Sequence, residues 1–326
     1  MEFIYDMLSF VLKAFIIVIT IAAIIGIASK ESKRDGRIKI TYLNDKFHQL
    51  KHLFMSDKLR KKLTSHKPTY KSRTFVLDFK GSVTASEVGS LTKEIDAILS
   101  SGNSRTDDVI IRLQSPGGAV TGYGLGAEQI QRLRTAGFNI TATVDEVAAS
   151  GGYLMASVAN KIVASKFAII GSIGVVAQMP NFKELLDKVG VNYEVITAGK
   201  FKRTLTMVQE NTDKDRSKFK EDLEQIHAVF KDHVAHYRPD VNIDDVATGE
   251  HWLAADAIKR GLIDEIKTSD SLVREVAEKN ESQLVHLKFF QPKPLSKRFQ
   301  AAAANIFTTA LTNVITKLSS NYTTYR

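Results

Sequence analysis

The chain has 326 residues, no cysteine and a formal net charge of +9. The absence of cysteine excludes disulfides, thiolate nucleophiles and cysteine-ligated metal centres. The positive charge is local: residues 30–73 carry 14 Lys and Arg against 4 Asp and Glu, and the rest of the chain carries 31 against 32. A nucleic-acid enzyme usually carries a basic patch on its folded domain, so we expect no nucleic-acid partner.

Residues 7–28 predict a transmembrane helix. This run is apolar except for Lys13, and at 1.5 Å per residue it spans about 33 Å, enough to cross a bilayer core. The Gly-Ile-Ala stretch at 26–28 also fits a cleaved signal peptide. The acidic residues Glu2 and Asp6 and the length of the run favour an uncleaved, single-pass anchor in the lipid bilayer.

A basic segment follows the anchor and begins with Lys30, Lys33, Arg34, Arg37 and Lys39. The positive-inside rule places the rest of the chain in the cytoplasm. The same charges also suit contact with anionic lipid, so the side of the membrane stays open. Apolar residues at helical spacing over 42–63 predict one or two basic amphipathic helices near the membrane, with a solvated linker as the alternative.

From residue 74 onward, strand and helix patterns alternate, which predicts an α/β domain with a parallel sheet. We divide the chain into an anchor (1–29), a basic juxtamembrane segment (30–73), a main domain (74–290) and a C-terminal helical tail (291–326). The predicted strands are 75–79, 108–113, 138–144, 161–164, 193–196, 262–266 and 283–290. The predicted helices are 85–99, 119–134, one beginning at 150, 211–237, 248–260 and 271–280.

Ser150 is the first candidate functional residue. It stands in the stretch AASGG, and no charged residue occurs between Glu146 and Lys161. Alanine and glycine allow close backbone approach at a helix start. Free N–H groups there can stabilise an anion, so the N–H of Gly151 is a candidate oxyanion donor beside a nucleophilic serine. The alternative is a packed helix with an N-cap serine.

Two further motifs point to acyl chemistry. The stretch SPGG at 115–118 lies between a strand and a helix, where its N–H groups can face a developing oxyanion, and it lacks the pattern of a phosphate-binding loop. The stretch GKFK at 199–202 supplies lysines, with Lys202 standing 52 residues after Ser150. A serine needs a base, and a lysine can serve once burial favours its neutral form. Lys202 has apolar neighbours and is our candidate, although Lys200 and Arg203 stand close by.

The order of SPGG, ASGGY, GSIGVV and GKFK resembles the signal peptide peptidase A family of membrane-anchored serine proteases, and within it the SohB branch. The resemblance implies a Clp protease/crotonase-like fold of stacked ββα units and a Ser/Lys dyad. The eight histidines lack metal-ligand spacing, and we expect no metal and no cofactor. The resemblance implies that Ser150 is the nucleophile, Lys202 the general base, Ser172 the residue that orients the lysine, and Gly118 and Gly151 the oxyanion hole. It also implies a homo-oligomer on the bacterial inner membrane.

These observations predict a membrane-anchored serine endopeptidase that hydrolyses peptide bonds in unfolded, membrane-derived or signal peptides. The alternative is a non-proteolytic membrane scaffold, or a crotonase-like acyl enzyme that retains the fold. Ser150 and Lys202 separate the two, because a crotonase enzyme usually places carboxylates or an adenine pocket in the site.

Overall fold

The computed structural model describes residues 13, 36–53, 70–199, 201–279 and 281–291. One compact unit spans Ile38–Phe289, so it includes residues 38–53 of the predicted juxtamembrane segment. The predicted anchor at 7–28, apart from Lys13, and the predicted tail beyond residue 291 lie outside the described residues. None of the helices in the described part is long and apolar enough to cross a membrane.

The elements alternate along most of the chain. The strands are β1 Arg37–Tyr42, β2 Ser72–Lys80, β3 Asp108–Ser115, β4 Asn139–Ala149, β5 Lys161–Ala164, β6 Ile169–Gly171, β7 His251–Leu253, β8 Glu265–Ile266 and β9 Ser282–Phe290. The helices are α1 Leu43–Leu53, α2 Val88–Ser101, α3 Val120–Thr135, α4 Gly151–Ser157, α5 Lys183–Lys188, α6 Asp213–Tyr237, α7 Ile243–Val246, α8 Ala254–Ala257 with a 3-10 turn Ile258–Arg260, and α9 Ser269–Lys279.

The strands form one sheet in the order β1-β9-β2-β3-β4-β5-β8, and β6 pairs with β4 and with β7. The pairs from β9 to β8 and the β4–β6 pair are parallel, whereas β6 and β7 are antiparallel. This confirms the predicted α/β class with a mostly parallel sheet. The carboxyl ends of β3, β4 and β6 meet at one edge of the sheet, since the three strands run in the same direction.

The main core lies between the sheet and helices α2, α3 and α4. Phe75 and Leu77 alternate along β2 toward this face, as the two-residue period of a strand requires. Leu91, Ile95 and Ile98 follow the helical period on α2 and are all buried in the same cluster. Each such aliphatic side chain contributes about 1.5–3 kcal/mol when fully buried.

Helices α1 and α9 cover part of the opposite face, where Phe47 packs against a cluster that includes Val273. Asn44 is buried, and its Oδ1 accepts a hydrogen bond of 2.7 Å from the Leu284 N–H of β9. The predicted amphipathic helix over 42–63 therefore exists at Leu43–Leu53, but Leu43 and Phe47 face α9. Leu50 and Leu53 of the same helix are exposed, and residues 54–63 lie outside the described residues.

The strand predicted at 193–196 is wrong. These residues are irregular, and the Ile196 side chain is 90% exposed. They belong to a segment, residues 175–210, that contributes no strand to the sheet within its described part. Hydrogen bonds connect parts of this segment to each other, including one of 2.7 Å from the Phe182 N–H to the Met207 carbonyl. Apolar β-branched and aromatic residues favour a strand only where a neighbouring strand pairs with them.

The helix predicted at 248–260 is correct only in its second half. Residues His251–Leu253 form β7, where Trp252 pairs with Ile170 of β6. The helix covers Ala254–Ala257, and the 3-10 turn that follows it ends at Gly261, whose φ is 74°. The open edge of β6 provides hydrogen-bonding partners, and pairing with it overrides the helical pattern in residues 251–253.

Candidate active site

Ser150 joins the end of β4 to the start of α4. Its φ is 51° and its ψ is −121°, a conformation that costs a non-glycine residue energy. Its N–H donates to the Gly171 carbonyl at 2.8 Å, and its carbonyl accepts from the Leu154 N–H at 2.9 Å. The Ser150 side chain makes no capping hydrogen bond. The N-cap interpretation is therefore wrong, because a capping serine has extended backbone and bonds the first turn.

The SPGG loop passes directly beside Ser150. Gly117 has a φ of 92°, and a Cβ at this position would lie 2.7 Å from the Ser150 Cβ and 2.8 Å from the Gly151 nitrogen. A Cβ at Gly118 would overlap the Val83 carbonyl oxygen. Contacts this close require glycine at both positions. The two motifs, 33 residues apart in sequence, thus meet at one point because β3 and β4 are neighbouring parallel strands.

The backbone N–H groups where the two motifs meet differ in whether they donate a hydrogen bond. The Gly117 N–H donates to Ser115 Oγ at 3.1 Å. In the described part of the chain, no hydrogen bond uses the N–H of Gly118 or of Gly151. Gly151 is the first residue of α4, where backbone N–H groups lack partners within the helix. The amides of Gly118 and Gly151, one on each of the two motifs, thus have no hydrogen-bond acceptor among the described residues.

Ser172 lies next to Ser150 across the β4–β6 pair. Ala149 is in register with Gly171, so Ser150 and Ser172 are the residues that follow at the carboxyl ends of both strands. Ser172 also has a positive φ, 52°, and its N–H donates to the Glu250 carbonyl at 2.7 Å. Among the described non-glycine residues, positive φ occurs only at these two serines and at Ala85, in the loop that contacts Gly118 through Val83. Backbone strain of this kind clusters at functional sites.

Lys202 is not buried by its own chain. It is exposed, and its neighbours Phe201 and Met207 are 48% and 43% exposed. No hydrogen bond or ion pair of its side chain occurs within the described residues; its backbone N–H donates to the Gly199 carbonyl at 3.2 Å. The expectation that flanking apolar residues bury this lysine is wrong for the single chain, because those side chains are themselves exposed. Arg203 is also exposed, and Lys200 lies outside the described residues.

Comparison with known proteins identifies the family. Residues 2–130 match the model for the N-terminal part of peptidase family S49, and residues 132–283 match the model for peptidase family S49. The chain belongs to peptidase family S49. It is 47% identical over 252 residues to the probable protease SohB of Haemophilus influenzae, covering 77% of this chain and 70% of that protein.

Two further relatives show how far the similarity extends. The probable protease SohB of Buchnera aphidicola subsp. Schlechtendalia chinensis is 42% identical over 303 residues, 84% of this chain and 99% of that protein. The chloroplastic serine protease SPPA of Arabidopsis thaliana is 36% identical over 160 residues, 48% of this chain and 24% of that protein. The resemblance to SohB-like proteases drawn from the four motifs is confirmed.

The sequence analysis did not single out Tyr123 of α3, which contacts both the SPGG loop and the start of α4. Its hydroxyl donates to the Ser82 carbonyl at 2.8 Å and accepts a short hydrogen bond from Ser115 Oγ. Burial raises the pKa of the Tyr123 phenol, which therefore stays protonated and able to donate. The available signal was the stretch GYGLG at 122–126, in which one large aromatic residue stands between glycines.

The described residues contain no group of three His, Asp or Glu side chains that could hold a metal ion. The carboxylate with the strongest rise in pKa is Glu94 of α2, which burial raises to about 7. It accepts a bond from the Phe289 N–H at 2.7 Å, so it serves the packing of β9.

Proposed function

We propose that the chain is a serine endopeptidase in which Ser150 is the nucleophile. One observation carries this proposal: Ser150, Ser172 and the Gly117–Gly118 loop meet at the carboxyl ends of β3, β4 and β6. A strained serine beside two unengaged backbone amides is the arrangement that acyl transfer requires. Membership of a peptidase family supports the same chemistry.

In the proposed mechanism, Lys202 is the general base. Its neutral amine takes the hydroxyl proton as Ser150 Oγ attacks the scissile carbonyl, and the N–H groups of Gly118 and Gly151 bind the oxyanion. The protonated lysine then gives this proton to the leaving amine, which leaves an ester on Ser150. A water molecule attacks the ester while Lys202 accepts its proton. The second tetrahedral intermediate then collapses, the ester bond breaks, and Lys202 returns the proton to Ser150 Oγ as the acid product leaves. Ser172 orients the amine through its hydroxyl.

We further propose that a second copy of the chain completes the site. Burial disfavours the charged form of a lysine, but Lys202 is exposed in the single chain. The 175–210 segment around it exposes many large apolar side chains: Val176, Met179, Phe182, Leu185, Val189, Val191, Tyr193 and Ile196. Monomeric proteins seldom leave so many together in water. Packing of this segment against another copy in a homo-oligomer would shield both the apolar surface and the lysine.

The remaining parts of the proposal concern fold, location and substrate. The mostly parallel sheet, with its glycine loop after β3 and its nucleophile after β4, supports a Clp protease/crotonase-like fold. The apolar run at 7–28 supports a single-pass anchor in a bacterial inner membrane, with the side of the catalytic domain open. We propose unfolded, membrane-derived or signal peptides as substrates, which a catalytic domain anchored at the bilayer would meet.

Hydrolysis by purified full-length protein tests this function. Ser150→Ala is compared with Ser157→Ala, a matched control on the same helix, whose hydroxyl bonds only the Leu154 carbonyl among the described residues. We expect Ser150→Ala to abolish cleavage of an unfolded protein substrate and Ser157→Ala to retain it. Cleavage by Ser150→Ala at the wild-type rate would refute the nucleophile. A wild-type protein that cleaves no peptide but hydrolyses acyl thioesters would favour the acyl-enzyme alternative.

A further inference from the structure

Tyr123 belongs to a series of hydrogen bonds that leads to the glycine loop, and the donor of each bond can be assigned. A carbonyl oxygen only accepts, so the 2.8 Å bond between Tyr123 and the Ser82 carbonyl uses the phenolic hydrogen. The short bond between Tyr123 and Ser115 is therefore donated by the serine hydroxyl. Ser115 Oγ in turn accepts from the Gly117 N–H at 3.1 Å. Each donor in this series of three hydrogen bonds has one acceptor, and the series therefore fixes the orientation of the Gly117 peptide.

The ring of the same tyrosine supports the other motif. A Cβ at Gly151 would overlap Cγ of Tyr123, so the first turn of α4 rests directly on the aromatic ring. A Cβ at Gly81 would lie 2.7 Å from Ser115 Oγ and would overlap the Tyr123 hydroxyl. The ring packs edge to face against Phe79, with centroids 6.3 Å apart. Tyr123 is fully buried and is held on all of these sides.

We infer that Tyr123 is a positioning residue that sets the distance between the two oxyanion amides. This inference rests on the proposed function. The hydroxyl holds the loop that carries Gly118, and the ring holds the helix start that carries Gly151. Donors must lie about 2.7–3.1 Å from the developing oxyanion, and a misplacement near 1 Å can cost about 100-fold in rate. A single rigid side chain that contacts both motifs keeps the separation of the two amides fixed.

The structure provides a matched control in Tyr153 of α4. Tyr153 is also fully buried, and its hydroxyl donates to the Leu262 carbonyl at 2.9 Å. Tyr123→Phe and Tyr153→Phe therefore each remove one buried phenolic hydroxyl and leave one carbonyl without that donor. Of these two variants, only Tyr123→Phe removes the hydrogen bonds that connect to the glycine loop. Ser115→Ala removes the middle group of the same hydrogen-bond series and serves as a second variant if Tyr123→Phe does not fold.

The experiment measures kcat and KM for a peptide substrate in the full-length protein, together with inhibition by two ligands of one sequence. A peptide aldehyde forms a tetrahedral adduct whose oxygen occupies the oxyanion site, whereas the corresponding peptide amide binds without one. For Tyr123→Phe we expect kcat to fall about 10- to 100-fold, with KM changed less than about twofold. Aldehyde affinity should fall by the same factor and amide affinity should not change.

Each outcome decides between positioning and simple packing. Tyr153→Phe should lower the melting temperature by a comparable amount while keeping kcat and the aldehyde-to-amide ratio. Equal loss of kcat in both variants, or equal weakening of aldehyde and amide by Tyr123→Phe, would overturn the inference. Ser150→Ala is measured alongside. If it retains hydrolysis, the proposed function fails; if it is inactive and Tyr123→Phe behaves like Tyr153→Phe, only the role of Tyr123 fails.

Discussion

Substitution of Gly117 by alanine should damage both stability and catalysis. The added methyl group would lie 2.7 Å from the Ser150 Cβ, 2.8 Å from the Gly151 nitrogen and 2.9 Å from the Ala149 carbonyl. The φ of 92° adds a backbone penalty of about 1–3 kcal/mol. Overpacking adds about 1–3 kcal/mol, and loss of unfolded-state entropy returns about 0.4–1 kcal/mol. We expect a net destabilisation of about 1–5.6 kcal/mol, against a total stability of about 5–15 kcal/mol for most domains.

The catalytic loss should be larger than the stability loss suggests. The methyl group can be accommodated only if the loop moves away from Ser150 or the start of α4 shifts, and either movement separates the oxyanion donors. A displacement near 1 Å predicts a fall in kcat/KM of about 100-fold. Urea unfolding and peptide hydrolysis of the same preparation measure the two effects separately.

Gly124→Ala is the control for this prediction. Gly124 lies inside α3, and a Cβ there meets no atom within 4 Å. Alanine should therefore stabilise the helix by about 0.5–1 kcal/mol and leave catalysis unchanged. The reasoning about the loop would be refuted if Gly117→Ala were as stable and as active as Gly124→Ala.

Two further predictions concern the base and a buried carboxyl. Lys202→Ala should lower kcat at least about 1,000-fold, while Lys200→Ala and Arg203→Ala should do much less; an inactive Lys200→Ala would move the role of base to that residue. Burial raises the pKa of Glu94 from 4.5 to about 7, so the native state holds its proton more tightly and loses stability as pH rises through that window. Glu94→Gln cannot ionise and should gain up to about 3 kcal/mol over the wild type at pH near 8.5, with little gain near pH 5. Urea unfolding at both pH values measures this, and equal effects would contradict it.

The parts of the site that sequence could predict are those set by local pattern. The apolar runs predict β2 to β5, and neighbouring parallel strands must bring the SPGG loop and Ser150 to one sheet edge. Ser172 was assigned by the order of motifs, and the β4–β6 register places it beside Ser150. Helix α6 begins at Asp213, two residues after the predicted start, where Thr212 and Asp215 form a capping box.

The parts that sequence could not predict depend on distant partners. Asn44 binds β9 through a hydrogen bond from Leu284, a residue 240 positions away in the sequence. The run at 193–196 has strand composition but no strand beside it. Tyr123 acts through the geometry of its hydroxyl, which no periodicity reveals. Lys202 is exposed in the single chain although apolar residues flank it, so the flanking residues were a poor guide to its burial.

The most direct test of the account is to locate the residue that a serine-directed probe modifies. Full-length protein is treated with a fluorophosphonate, digested, and analysed by mass spectrometry of its peptides. We predict a single phosphonyl adduct on Ser150 that is absent from Ser150→Ala and present on Ser157→Ala. An adduct on Ser172 or on another serine, or an adduct that persists in Ser150→Ala, would contradict the claim that Ser150 is the nucleophile.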